Sequence, residues 1–381
     1  MPTVNEWQQA LCGSYRLSIE SSASLCTDVW NRQQDRDSER QNQGRQPLAT
    51  KTSLIPWPPS GRSDRVDIRP IDMLHALGRI TTPAITELID LSSTWAEIRY
   101  IWAFKPNLQR RNAMSLRLSD AVRALDFHQK TLLSDEFGVG FAAYYMARFE
   151  GATDPVDVFL ARRNRQGPLF GNTRRSLPDY IFSGPNPNQY FIVECKGTQS
   201  ERSAAISQLQ RGSEQVTTVE IDPPASVTRL VIGSWLNQAI TLFVIDPDEG
   251  PEIRTLSRWS PEELRFCAEA KKLTYVGDYA GASRMLHDIV ETVMPIDYAP
   301  REPVLRQTGQ GTFQGSEEIR RTPDGRELRM FRGLRAAATN LPTQIPGVRE
   351  YPFILETESD RDQAVVRSIS PEGTLFEVVI R

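Results

Sequence analysis

The sequence predicts an α/β fold whose central unit is a helix, three strands, a second helix and a further strand, in that order. Short runs rich in aromatic and β-branched residues alternate with segments in which apolar residues recur at helical spacing. Clusters of Gly, Pro and Asn separate these runs, as turns require. The 381 residues, 39% hydrophobic and 24% charged, are typical of a globular protein with two or three domains, or of one core with large additions.

The elements of the central unit can be placed one by one. The first helix is predicted at 137–149, with Ser134 as its N-cap and Asp135 and Glu136 as acids of its first turn. The second helix, at 203–218, carries an apolar face at helical spacing, formed by Ala205, Leu209, Gly212 and Val216. Predicted strands lie, in chain order, at 155–160, 177–182, 190–197, 230–233 and 240–245.

A turn-rich segment joins the strands at 177–182 and 190–197, which predicts a hairpin. Because side chains alternate along a strand, Glu194 and Lys196 share one face, and Asp179 of the first strand can meet them there. Two carboxylates at one point repel each other unless a cation lies between them. Magnesium takes one or two carboxylates and keeps several waters, so it fits this pattern. A nearby lysine can orient or activate a water, or neutralise charge on a phosphate.

The segments Pro178-Asp179 and Glu194-Cys195-Lys196 resemble the motif of the PD-(D/E)xK nuclease superfamily. The resemblance covers about 134–245, where the predicted elements follow the αβββαβ order of the restriction-endonuclease-like core. It implies a metal-dependent endonuclease that hydrolyses phosphodiester bonds, most directly in DNA, in restriction, defence or repair. Asp179 and Glu194 would hold magnesium or manganese, and Lys196 would position or activate the water.

Two further site residues follow from the same resemblance. Members of the superfamily often place a glutamate of the first helix at the metal, which makes Glu136 the candidate. Many also carry a glutamine on the helix after the lysine, and Gln208 is favoured over Gln210 and Gln215 because it lies beside the apolar face. The alternative for Glu136 is an acid that stabilises a helix N-terminus, and for each glutamine a solvated helix position.

The three residues Asp179, Glu194 and Lys196, called the trio below, also have a simpler explanation. Glu194 and Lys196 could be an ordinary surface pair on an exposed strand, which contributes little to stability. Ile181 and Ile192 favour a site, because they indicate a covered face on which an uncompensated acid is costly. At the level of function, the alternative is a catalytically silent nucleic-acid-binding or scaffold subunit that acts only with a partner.

The net charge of −3 does not by itself indicate a nucleic-acid partner. Local basic clusters would have to supply the phosphate contacts: Arg110-Arg111, Arg162-Arg163 with Arg165, and Arg174-Arg175. The four cysteines form no CxxC pair, and with three histidines a zinc site is not expected. Neither a signal peptide nor a membrane-spanning run is evident, so we expect a cytoplasmic protein.

Four regions are expected along the chain: a partly loop, partly helical N-terminal region at 1–115, the nuclease-like core at 116–250, a helical extension at 251–300 and a small β-rich region at 301–381. The β-rich region could dock another protein or a second copy of the chain.

Local signals refine these regions. The polar composition of 31–63 predicts a loop, and Pro83 is expected to start a helix. The apolar stretch at 95–104 is either helix or strand, and a helix at 116–133 leads into the core. Ser260, followed by proline and two glutamates, predicts the start of the helical extension.

Overall fold

The structure, a computed structural model, describes residues 4–45, 54–83, 93–105, 114–158, 177–216, 219–223, 225–247, 257–287, 302–321, 325–336, 353–360 and 363–381. These residues form a mixed α/β protein with two large sheets. One sheet is mixed and carries the candidate site. The other is antiparallel and is formed by the C-terminal part of the chain.

The first part of the chain alternates helices and strands. Its elements are α1 (Val4–Cys12), β1 (Tyr15–Ser21), α2 (Ala23–Asn42), β2 (Leu54–Pro56), β3 (Arg62–Ile68) and α3 (Pro70–Thr81). The N-terminal region therefore contributes strands to the central sheet and is more than a helical addition.

Helix α2 occupies the first part of 31–63, where the composition predicts a loop. Its N-cap is Ser22, whose hydroxyl accepts a hydrogen bond from the Leu25 backbone at 3.2 Å. Leu25 and Val29 bury one side of its first turns, whereas most of its later residues are polar. The loop prediction is wrong here, because packing of this short apolar side stabilises a helix that its composition does not favour.

The helical segments before the site strands are α4 (Ser93–Tyr100), α5 (Asp120–Arg123) and α6 (Phe127–Tyr145), with β4 (Met114–Ser115) between α4 and α5. Most of the apolar stretch at 95–104 is thus helical. The helix predicted from Pro83 falls on residues outside the described ranges.

Helix α6 begins two turns before the predicted helix start. Its N-cap is Asp126, whose carboxylate accepts a hydrogen bond from the Gln129 backbone at 2.9 Å. Ser134, the predicted N-cap, lies inside the helix and donates its hydroxyl to the carbonyl oxygen of Lys130. The predicted break between two helices is therefore wrong, and α6 continues into a π-helical turn, Met146–Glu150.

The central sheet begins with an antiparallel meander of β5 (Thr153–Asp157), β6 (Tyr180–Ser183) and β7 (Gln189–Thr198). Helix α7 (Arg202–Gln215) and the short β8 (Val219–Ile221) follow. β9 (Ser226–Leu236) then pairs parallel with β7, and β10 (Ile240–Pro247) pairs antiparallel with β9. Together with α6, these elements have the predicted order of helix, three strands, helix and strand.

The sheet extends beyond β10 into the N-terminal region. β1 pairs parallel with β10 and antiparallel with β3. Within the described ranges the strand order is β3-β1-β10-β9-β7-β6-β5, with β2 beside β10 and β4 beside β1. Regions 1–115 and 116–250 therefore share one sheet.

Each face of this sheet is covered by a helix of the central unit. α6 packs Phe137 and Phe141 into the same core as Val193 of β7. On the opposite face, α7 packs Leu209 into the core that holds Ile192. The apolar face predicted for α7 is buried as expected, at Ala205, Leu209, Gly212 and Val216.

The C-terminal part consists of β11 (Ser257–Trp259), α8 (Pro261–Tyr275), α9 (Tyr279–His287) and an antiparallel sheet. Ser260 forms a capping box with Glu263, which confirms the predicted helix start. The strands of the sheet are β12 (Val304–Thr308), β13 (Gly311–Arg321), β14 (Glu327–Arg335), β15 (Ile354–Ser359), β16 (Ala364–Ile369) and β17 (Thr374–Ile380). Their spatial order in the described chain is β12-β13-β14-β17-β16-β15.

Buried polar contacts attach this second sheet to the N-terminal helices. Ser368 of β16 donates its hydroxyl to Asp72 of α3 at 2.7 Å. Arg332 of β14 forms an ion pair with Glu97 of α4 at 2.6 Å, and both side chains are buried. Met330 joins the apolar core under α3. Because these buried polar groups pair across the interface, they help to fix how the sheet sits on the helices.

Candidate active site

The hairpin of β6 and β7 brings the first acid beside the second strand. In its register Tyr180 lies opposite Val193 and Ile181 opposite Ile192, which places Asp179 close to the end of β7. One carboxylate oxygen of Asp179 accepts a hydrogen bond from the backbone N–H of Cys195 at 2.8 Å. This hydrogen bond holds the Asp179 side chain across the hairpin, next to Glu194 and Lys196.

Glu194 is fully buried, with no exposed side-chain surface. It lies between β7 and α7, where Gly212 makes room for it. A Cβ atom on Gly212 would lie 3.1 Å from Cγ of Glu194 and 2.6 Å from a methyl group of Val231. The buried position predicted from the neighbouring isoleucines is therefore correct, and Glu194 is not part of a surface pair.

Lys196 connects this buried acid to solvent. Its Nζ atom contacts Oε1 of Glu194, and 24% of its side chain is exposed. The second carboxylate oxygen of Glu194, Oε2, is buried and has no hydrogen-bond partner among the described residues. A buried carboxylate oxygen without a partner is costly unless it is protonated or binds a cation.

The trio contains two acidic side chains and one basic side chain. Burial and the negative charge of Asp179 raise the pKa of Glu194 to about 8, although the Lys196 ammonium opposes the shift. Burial also raises the pKa of Asp179, again against Lys196. Burial lowers the pKa of the Lys196 ammonium, but the charge and hydrogen bond of Glu194, together with the charges of Asp179 and Cys195, raise it by more, so the net shift is upward. Glu194 therefore keeps its proton near neutral pH. A divalent cation that binds between the two carboxyls can displace this proton.

Of the two neighbouring acids of α6, Asp135 rather than the predicted Glu136 interacts electrostatically with Lys196 and Asp179. Partial burial raises the pKa of Asp135, and the charge of Lys196 lowers it. The charge of Asp135 in turn raises the pKa of Asp179. Glu136 instead accepts a hydrogen bond from the hydroxyl of Tyr100 and forms an ion pair with Arg99 at 3.3 Å.

The geometry of the α-helix explains why Asp135 and Glu136 have different surroundings. Successive residues of an α-helix point about 100° apart, so only one of two adjacent acids can face the site. Both acids are visible in the sequence, but the choice between them requires the rotation of α6 about its axis. That rotation depends on how α6 packs against β7.

Two glycines set the distance between α6 and the end of β7. A Cβ on Gly138 would lie 2.7 Å from the carbonyl carbon of Lys196, and a Cβ on Gly197 would overlap the carbonyl oxygen of Ser134. Real side chains essentially never approach so closely. The absence of both side chains lets the helix backbone lie directly on β7, which brings Asp135 to Lys196.

Gln199, which the motif does not include, ties the same two elements together. Its side-chain amide donates hydrogen bonds to the carbonyl oxygen of Lys130 and to Oγ of Ser134, both at 3.1 Å. Its position directly after β7 is the only sequence signal that could have suggested this role.

The predicted glutamines of α7 lie in different surroundings. Gln208 is half-buried and makes no side-chain hydrogen bond to a described residue. Gln210 is buried and accepts a hydrogen bond from Arg36 at 2.9 Å. Gln215 donates to the carbonyl oxygen of Leu177 at 3.1 Å, and so supports the segment that leads to Asp179. None of these contacts is to a side chain of the trio. The predicted arginine clusters lie outside the described residues.

The two carboxylates of Asp179 and Glu194 can hold a hard divalent cation only if further ligands complete its coordination shell. Within the part of the chain that the structure describes, no group of three or more His, Cys, Asp or Glu side chains is placed to hold a metal ion. Asp179 and Glu194 therefore provide two carboxylates, and waters and substrate oxygens would have to supply the remaining positions. Magnesium tolerates this arrangement better than zinc does.

No family model, curated protein sequence or solved structure matches this chain at a significant level. No helix among the described residues combines the length and the apolar character needed to cross a lipid bilayer.

Proposed function

We propose that this chain is a metal-dependent nuclease that hydrolyses phosphodiester bonds, with DNA as its substrate. The observation that carries the proposal is the buried pair of acids in the trio, which a single lysine does not balance. Glu194 is buried, has a pKa raised to about 8 and leaves one carboxylate oxygen without a partner. A buried acid of this kind lowers the stability of the folded protein, and such destabilising groups are typical of functional sites.

The surrounding fold supports the same proposal. The order of α6, β5, β6, β7, α7 and β9 is the αβββαβ order of the PD-(D/E)xK superfamily, with Asp179 before β6 and Glu194 and Lys196 on β7. α7 makes the crossover between the parallel strands β7 and β9. This placement of Asp179, Glu194 and Lys196 supports the proposal, and restriction, defence or repair would be the biological context.

Each residue would have a distinct task. Asp179 and Glu194 would hold magnesium or manganese, with Asp135 as a further acid near the site. The bound ion would polarise a phosphate oxygen and lower the pKa of a water. Lys196, whose pKa is raised, stays protonated at neutral pH and would bind the scissile phosphate or orient the attacking water. Its exposed side places it where a phosphate can approach.

The test is cleavage of supercoiled, linear and single-stranded DNA with magnesium, manganese or EDTA. We expect metal-dependent cleavage by the native chain. Asp179→Ala and Lys196→Ala should lower the rate by a factor of about 100 or more, as loss of a group that stabilises transition-state charge does. Glu214→Gln on α7 changes a partly buried acid paired with Arg36 and should cleave at the native rate.

Two results would reject the proposal. In the first, folded Asp179→Ala and Lys196→Ala variants cut DNA as fast as the native chain. In the second, the native chain binds DNA but cuts none with any metal. The second result would favour the catalytically silent binding or scaffold subunit, with cutting confined to a complex with a partner.

A further inference from the structure

The first turns of α6 carry an exposed aromatic ring close to the candidate site. Phe127 is 86% exposed, and Leu132 on the same helix is 42% exposed. No aromatic ring of a described residue packs against Phe127. The helix continues from Phe127 to Asp135 over two turns, about 12 Å along its axis at the usual rise. The ring therefore lies on a helix whose next turns form one wall of the site.

Two cationic residues lie within four positions of Phe127 in the chain. Arg123, exposed at the end of α5, and Lys130, one turn after Phe127, have no ion-pair partner among the described residues. The acids of the same segment are already engaged. Asp120 forms an ion pair with a lysine at 3.2 Å, and Asp126 caps α6. The segment thus offers an apolar ring and two available positive charges.

We propose that Phe127 stacks on an unpaired nucleobase of the substrate strand, while Arg123 and Lys130 contact its phosphates. An exposed ring together with cations is the combination with which proteins bind single-stranded nucleic acid, because every base has a face for stacking. In a duplex these faces are covered by neighbouring bases. The inference rests on the proposed nuclease function and specifies its substrate as DNA with a single-stranded segment beside the scissile phosphate.

A protein partner would use the same surface differently. It would bury Phe127 and Leu132 together, and its binding would depend little on phosphate. Arg123 and Lys130, which have no ion-pair partner among the described residues, favour nucleic acid, because an apolar protein contact has no need of cations.

The experiment measures DNA binding in EDTA, so that it does not depend on cleavage. The probes are a blunt duplex, the same duplex with a single-stranded overhang, and a single strand, each containing 2-aminopurine in the strand to be bound. Fluorescence anisotropy of a dye-labelled copy gives the affinity, and 2-aminopurine emission reports stacking. The variants are Phe127→Ala, Phe127→Trp and, as control, Leu305→Ala, which removes another side chain that is 60% exposed, on β12.

We expect Phe127→Ala to weaken binding of the overhang and the single strand by about 5- to 150-fold, the range for loss of one stacked base. Binding of the blunt duplex should not change. Phe127→Trp should restore the affinity and the change in 2-aminopurine emission, and Leu305→Ala should match the native chain.

The inference is overturned if Phe127→Ala binds the single strand like the native chain, if it weakens all three probes equally, or if the native chain binds none of them. Its failure differs from failure of the nuclease proposal. Cleavage that requires Lys196 but not Phe127 would retain the nuclease and reject the stacking. Stacking without any cleavage would reject the nuclease and retain the binding surface.

Discussion

Replacement of Glu194 by glutamine should stabilise the metal-free protein, and the gain should grow with pH. Glutamine has nearly the same shape as glutamate but cannot ionise. Burial and Asp179 raise the pKa of Glu194 from 4.5 to about 8. A carboxyl whose pKa is raised in the folded state destabilises the fold as pH rises above its unfolded value, because the unfolded chain loses the proton first.

The size of the effect follows from the same shift. One pKa unit corresponds to about 1.4 kcal/mol. The free energy of unfolding of the variant should nearly equal that of the native chain at pH 4.5, exceed it by about 3 kcal/mol at pH 7 and by about 4 kcal/mol at pH 8, where the carboxyl of the folded chain is half ionised. The opposing effect of Lys196 is already contained in the shift.

The assay is urea denaturation in EDTA at these three pH values, repeated with magnesium. Magnesium at a hundred times its dissociation constant would stabilise the native chain by about 2.7 kcal/mol, because it binds only the folded state. It should not stabilise Glu194→Gln. Glu214→Gln, a change on the adjacent helix α7, should respond to magnesium as the native chain does.

One result would refute this reasoning. If Glu194→Gln is less stable than the native chain by the same amount at every pH, Glu194 is ionised and simply pairs with Lys196. The pKa of Glu194 would then not be raised in the folded state, and the main support for a metal would be lost.

The remaining predictions concern the surroundings of the trio and the second sheet. Gly197→Ala should lower the free energy of unfolding by about 3 kcal/mol in the same urea titration, since its methyl would overlap a carbonyl oxygen of α6. Gly44→Ala, whose methyl meets no atom within 4 Å, should cost only the backbone strain that its φ of +67° imposes on alanine, about 1 kcal/mol. Asp135→Asn should reduce metal-dependent cleavage by at least about tenfold and Glu136→Gln should not, and equal rates for the two variants would contradict the placement of Asp135. Burial raises the pKa of Glu97 from 4.5 to about 7, so the native chain should lose about 3 kcal/mol relative to Glu97→Gln between pH 4.5 and 7, and parallel stability curves would rule this out.

The hairpin was predictable because its signals are local. The strands at 177–182 and 190–197 are short apolar runs around a turn, and alternation along a strand fixes which residues share a face. The structure confirms the pairing of β6 with β7 and the common face of Ile181, Ile192 and Glu194. The apolar side of α7 was equally predictable from its helical spacing.

The start of α6 was not predictable from the same kind of pattern. Ser134 followed by two acids has the form of an N-cap. Asp126, two turns earlier in the helix, is the actual N-cap, and the residues between Asp126 and Ser134 are compatible with helix. A cap preference of about 1 kcal/mol cannot decide between two such starts when burial of Leu133 in the core favours the longer helix.

The sequence by itself determined the order of elements in the central unit, the hairpin that joins Asp179 to Glu194 and Lys196, and the buried side of α7. Each depends on periodicity or on residues close in sequence. Only the tertiary structure decided that β1 pairs with β10, that Asp135 rather than Glu136 interacts with the trio, and that the C-terminal sheet docks on α3 and α4. These features depend on contacts between residues far apart in the chain, whose energies no local pattern contains.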